Sequence, residues 1–175
     1  YLLEYNEFDS TYSVYLKILE GSSITAPHRA QFNSQISFAM PEQTKMFAQK
    51  MVMPLQGNNA YNGKNPLAWT ISSSVESPYI TTKLKYISIT PTLSPTSFYN
   101  DLKPENEVKL FSFKVSPQPS NPGEIRFFDN LSDPKSTQPG MGGAGFSNGF
   151  TIGGVLQDYV GNLPLRIVNT VSTKN

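Results

Sequence analysis

Residues 107–115 read EVKLFSFKV, and the order of apolar and polar side chains in this run decides the fold. In a strand, successive side chains point to opposite faces, so residues two apart share a face. Val108 and Leu110 fall on one face and Phe111, Phe113 and Val115 on the other, so the phase changes between Leu110 and Phe111. A β-bulge or burial on both faces accounts for such a shift.

Outward from this run the same alternation recurs. Tyr12, Val14, Leu16 and Ile18 share one face, as do Ile36, Phe38 and Met40. Residues 82–90, 124–130, 149–155 and 165–171 are further strand candidates, set apart by 12 Gly and 14 Pro. Seven or more short strands, enriched in aromatic and β-branched residues and separated by turn-rich segments, predict an all-β, antiparallel two-sheet sandwich. Helical pattern is weak. Pro41 suits a first helical position, and Met46, Phe47, Met51 and Met53 make a partial stripe, so residues 41–53 are the best helical candidate. Ser94-Pro95 opens a second short turn running to Leu102. One or two short helical excursions on a β framework are expected. Residues 56–66, with Asn62-Gly63, read as a hairpin end or exposed loop. Residues 133–149, rich in Gly, are long for a connection, and loops of such length are usually functional or flexible.

Composition narrows the chemistry. The 175 residues carry a formal net charge of +1, with 15% charged, 38% hydrophobic and 12% aromatic residues, which suits one folded domain rather than a disordered chain. No basic cluster marks a nucleic-acid binder, and no apolar run approaches the roughly 20 residues of a membrane-spanning helix. Neither a nucleic-acid partner nor membrane insertion is expected. Cysteine is absent and His28 is the single histidine, so zinc, iron–sulfur and cysteine-nucleophile sites have no ligands to draw on. The opening YLLEYNEFDS lacks the basic start and long apolar core of a signal peptide. The chain is expected to be a segment of something longer, with export directed from outside it.

Gly140 to Gly145 satisfies G-x-G-x-x-G, but no helix N-terminus follows to hold a pyrophosphate, and no cofactor is expected. Asp129, Asn130 and Asp133 in FFDNLSDP set oxygen ligands at short spacing, which suits a calcium ion; the same residues also make turns by bonding their own backbone. Trp69 either fills the core or stacks on a sugar ring, in which case Tyr61 and Tyr79, with Tyr86 and Tyr99, extend the platform. His28 reads as a loop residue.

Taken in order, LLEYNEFDSTYSVYLKI, FNSQISFAMPE, VKLFSFKVSPQPSNPGEIRFFDNLSDP, the Gly-rich loop and GFTIGG make a series that resembles the cohesin-like β-sandwich domains of large multidomain surface proteins of Bacteroidetes. The match covers residues 1–155, with 156–175 a C-terminal strand, tail or linker to a following domain, and residues 51–69 depart from a minimal cohesin. The resemblance implies a flattened sandwich of about nine strands, of the cohesin and carbohydrate-binding-module kind, like a jelly roll. It also implies export to the cell surface and a role in adhesion or in building an appendage. It transfers no dockerin-contacting residue, because no position here matches one.

The function expected is that of a noncatalytic structural or adhesive interaction module, binding other domains of the same surface assembly or a partner protein. The alternative is a carbohydrate-binding module for a surface glycan, with calcium as a candidate ligand. An enzyme is not expected, since the residues most used for proton transfer are nearly missing.

Overall fold

A computed structural model describes residues 1–17, 19, 34–47, 51–53, 67–76, 78, 82–92, 104–105, 107–152, 155–157 and 160–170. Among these lie twelve strands: β1 (Leu2–Asn6), β2 (Thr11–Lys17), β3 (Ile36–Pro41), β4 (Lys45–Phe47), β5 (Met51–Met53), β6 (Leu67–Glu76), β7 (Leu84–Thr92), β8 (Glu107–Ser116), β9 (Arg126–Phe127), β10 (Phe150–Ile152), β11 (Val155–Gln157) and β12 (Arg166–Val168). Two five-stranded sheets, in the orders β12-β1-β2-β8-β4 and β5-β6-β7-β3-β9, form an all-β sandwich, and β10 pairs with β11 apart from them. The pairing is antiparallel except between β1 and β12, which run parallel. Among the described residues no helix is long and apolar enough to cross a membrane.

The phase change in EVKLFSFKV is a β-bulge. Val14 of β2 faces Phe111 while Tyr15 faces Lys109, which leaves Leu110 as one extra residue in β8. Val108, Leu110, Phe111, Phe113 and Val115 consequently all join one core. They meet Leu3, Tyr5, Tyr12, Val14 and Leu16 of their own sheet, and Ile36, Phe38, Met40, Trp69, Ile87, Ile89 and Phe127 of the other. Aromatic rings carry this contact across the sandwich: Tyr12 stacks on Phe113 at 5.2 Å, Phe113 lies 5.1 Å from Phe38, and Phe38 lies 5.1 Å from Phe127. Tyrosines suit such a core because the ring packs while the hydroxyl reaches a partner. Tyr12 Oη donates to the Pro122 carbonyl at 3.2 Å and Tyr1 Oη to the Gly149 carbonyl at 2.8 Å.

Residues 41–53, expected as a helix, make a turn and two strands instead. The Pro41 carbonyl accepts from the Thr44 N–H at 3.0 Å, after which β4 pairs with β8 in the first sheet and β5 with β6 in the second. Lys45 and Phe47 are exposed while Met46 packs on the core, a period of two. Pairing with an open strand edge outweighs a thin apolar stripe of weak helical propensity. The chain crosses between the sheets here and closes one side of the sandwich. The second helical candidate, 94–102, lies outside the described residues, as does the loop 56–66. The helical turn that is described is the 3-10 turn Pro122–Glu124, capped by Asn121.

The Gly-rich segment is a packed cover. Met141 and Phe146 lie with Ala39, Tyr86 and Phe128 in a second cluster, on the face of the β3–β7 sheet turned away from the main core, and Val75, Leu84 and Ala144 pack around them. Its backbone groups find partners in successive turns, Gln138 N–H to Lys135, Met141 N–H to Gln138 and Ala144 N–H to Met141, at 2.9 to 3.2 Å. Gly149 and Gln35 then exchange two backbone bonds of 3.0 and 3.1 Å. Gly140 has φ +86°, and a Cβ there would lie 2.4 Å from the Pro78 carbonyl oxygen, so this turn requires glycine.

Such a cover has a measurable cost of removal. Met141 is fully buried, and Met141→Ala is expected to lower unfolding stability by about 2–5 kcal/mol through lost transfer energy and the cavity left behind. Urea denaturation checks this; an unchanged midpoint would mean the segment does not pack.

Candidate functional site

The segment FFDNLSDP starts at β9, the edge strand of the second sheet, and its side chains are committed to one another. Asp133 holds the Arg126 guanidinium through two bonds, of 2.5 and 2.8 Å, and also accepts from the Asp129 N–H at 2.7 Å. Arg126 in turn donates to the Phe127 carbonyl at 3.1 Å, capping its own edge strand. The bidentate bond to Asp133 holds Arg126 above its ordinary pKa against the opposing effect of burial. Asp129 Oδ1 accepts from the N–H groups of Leu131 at 2.8 Å and Ser132 at 3.2 Å, which hold its carboxyl below the usual range. Asn130 exchanges two bonds with the backbone of Asn148, at 2.9 and 2.7 Å.

Asn148 carried no signal in the sequence, yet it joins the cover to the sheet. Its Oδ1 accepts from the Ser37 N–H at 2.7 Å and its Nδ2 donates to the Phe128 carbonyl at 2.6 Å, so an amide side chain is spliced into the β3–β9 ladder. Beside it, the Phe128 N–H still bonds the Ser37 carbonyl directly, at 2.8 Å.

These commitments do not suit calcium. The ion takes six to eight oxygens, whereas both Asp133 oxygens face a guanidinium and the Asn130 oxygen faces a backbone N–H. Asp129, Asn130 and Asp133 are turn and edge-capping residues. Among the described residues no group of three His, Cys, Asp or Glu side chains converges. Trp69 is corrected as well: at 2% exposure, with its ring 5.2 Å from Phe111, it is a core side chain and offers no face to a sugar. Tyr86 is buried under the cover. Tyr61, Tyr79, Tyr99 and His28 lie outside the described residues.

What the segment does build is one wall of an open groove of about 550 Å³, on the side of the sandwich opposite the β4–β5 crossing. Leu3, Ile125, Phe127, Leu163 and Leu165 supply apolar surface, and Arg126, Asp129, Ser132 and Asn162 supply polar groups. The opposite wall is the strap leading into β12. Leu163 N–H bonds the Tyr1 carbonyl at 2.8 Å, and Glu7 N–H bonds the Val168 carbonyl at 2.9 Å. Leu131, between two groove-lining residues, is 93% exposed, and Val160 and Ile167 are exposed on the strap.

Arg166 fastens that strap. From β12 it reaches Glu4 on β1 at 2.7 Å and Glu107 on β8 at 3.0 Å, with its guanidinium 5.3 Å from the centre of the Tyr15 ring on β2. One side chain thus spans four strands on the outer face of the first sheet. Tyr15 Oη donates to Glu4 at 3.2 Å, and Lys109 lies over the same ring at 5.9 Å. Burial first, then the Glu4 charge, push the Tyr15 hydroxyl up to about 12.

Two measurements follow from these bonds. Asn148→Ala strands the Ser37 N–H and the Phe128 carbonyl in a buried place, and is expected to cost about 2 kcal/mol or more in urea unfolding; a loss near zero would show that the amide splice is dispensable. Tyr15 ionises in the unfolded chain near pH ~10 and in the folded one near about 12. Its neutral form is therefore favoured by folding: the stabilisation is complete below the first value and is lost as pH rises through the second. The stability advantage of the wild type over Tyr15→Phe should shrink across that window, and a constant difference would contradict it.

Compared with known proteins, the chain matches no family model, no curated protein and no solved structure.

Proposed function

We propose that this chain is a noncatalytic interaction module of an extracellular multidomain surface protein, and that it holds its partner along the groove between β9 and the β12 strap. The observation that carries this reading is where apolar surface remains exposed. Of eight large apolar side chains exposed among the described residues, Leu131, Val160, Leu163 and Ile167 belong to this one side. The other surfaces are better finished: the Gly-rich cover lies over one sheet, charged and polar groups around Arg166 lie over the other, and the β4–β5 crossing closes the far side. Exposed apolar groups gathered beside a groove and rimmed by polar ones mark contact sites more often than scattered ones do. The resemblance to cohesin-like surface modules supports the extracellular setting, and the absence of cysteine is compatible with it.

A photo-crosslinking residue placed at Leu131 or Ile167, in the chain displayed in its own cells, is expected to give adducts with protein. The same residue at Phe47, 54% exposed on the far side, should give few. Equal yields from all three positions, or none, would remove the groove as the contact. Adducts with polysaccharide would favour the glycan-binding alternative.

A further inference from the structure

The groove side carries a knob and a hole together. Leu131 is almost fully exposed, yet its mount is fixed: Asp129 Oδ1 holds its N–H and that of Ser132, the Asp129 carbonyl accepts from Asp133 N–H at 3.0 Å, and Arg126 clamps the Asp133 carboxylate. An apolar side chain on a mount already ordered binds without the usual entropy of fixing a loop. Asp129 and Ser132, on either side of Leu131, both line the groove, so the knob stands on its rim. The groove has an apolar floor and room for a leucine side chain.

From this juxtaposition we infer that the partner taken by this face is a second copy of the chain, related by a two-fold axis, with Leu131 of each copy seated in the groove of the other. The inference rests on the groove being the contact surface. A patch bearing both knob and hole is self-complementary, and a single two-fold operation satisfies both at once. Charge agrees with it. The rim carries both signs, with Asp129 and Arg126 lining the groove, so opposite charges can face each other across the axis. A net charge of +1 leaves little repulsion between copies. Val160 and Ile167, exposed on the adjoining strap, extend the apolar contact.

Sedimentation of the 175-residue chain from about 10 µM to about 1 mM, the range in which a small interface shows itself, tests this directly. The wild type is expected to approach twice its monomer mass with rising concentration. Leu131→Asp (the knob) and Leu163→Asp (the groove) should each remain monomeric. Leu131 is exposed, so its variant should melt as the wild type does, and a folded Leu131→Asp keeps the test valid even if Leu163→Asp is destabilised. Mixing the two variants restores one intact knob-in-groove contact of the two, and should recover partial association that neither shows alone. A wild type that stays monomeric throughout, or a Leu131→Asp chain that dimerises like the wild type, overturns the inference. In the first case the crosslinks from Leu131 are read separately: adducts with a different protein would keep the groove as the contact and exclude only the second copy.

Discussion

The structure depends on one extra residue. Without Leu110 in the ladder, β8 would turn either Val108 or the Phe111–Phe113–Val115 set out of the core, because a one-residue slip sends every side chain beyond it to the opposite face. With the bulge, all of these side chains reach the same interior. β8 lies between β2 and β4, and its two phenylalanines touch the opposing sheet, Phe111 against Trp69 at 5.2 Å and Phe113 against Phe38 at 5.1 Å. The bulge therefore sets which faces of the two sheets meet, and every outward-facing group follows from that choice.

Given that layering, polar side chains serve mainly to fasten edges. Arg166 bonds carboxylates on β1 and β8 and so holds the parallel strand β12, which has just three register pairs of its own. Asn148 replaces a ladder bond where β3 and β9 part, and Arg126 covers an edge carbonyl that would otherwise invite a further strand. A second row of Ser72 and Ser88 hydroxyls, 2.9 Å apart, sits at another bulge, where Ser72 is the extra residue of β6. Each device spends a polar group on architecture and leaves fewer of them for chemistry.

Much of the fold was legible because a period of two survives in a sequence without knowledge of partners. The windows around Val14, Phe38, Ile87 and Phe113 became β2, β3, β7 and β8, and the phase break became a bulge. β6 was less legible: after Trp69 it runs through serines with a bulge of its own, which dilutes the alternation. The methionines of 41–53 misled because their spacing fits a loose helical stripe as well as two short strands, and only the open edge of β8 decides between them. The Gly-rich segment announced its length but not Met141 and Phe146 as a cover, since the surface they need is made of Ala39 and Tyr86, far away in sequence. Neither Asn148 nor Leu131 could be singled out, because the roles of both come from neighbours that the fold supplies.

The oxygen-rich run FFDNLSDP joins these threads. Short spacing of Asp and Asn is ambiguous in a sequence, because a cation and a row of backbone N–H groups ask for the same oxygens. Here the backbone and Arg126 take them. That outcome removes an ion but supplies stiffness: the bonds that fill the Asp129 and Asp133 oxygens are the ones that hold Leu131 upright at the groove. A flexible loop at the same place would have to lose its freedom on contact, at a cost comparable to what one buried leucine returns. Ordering the turn during folding moves that cost out of the binding step, which is how a small apolar group on a nearly neutral surface can make a specific contact.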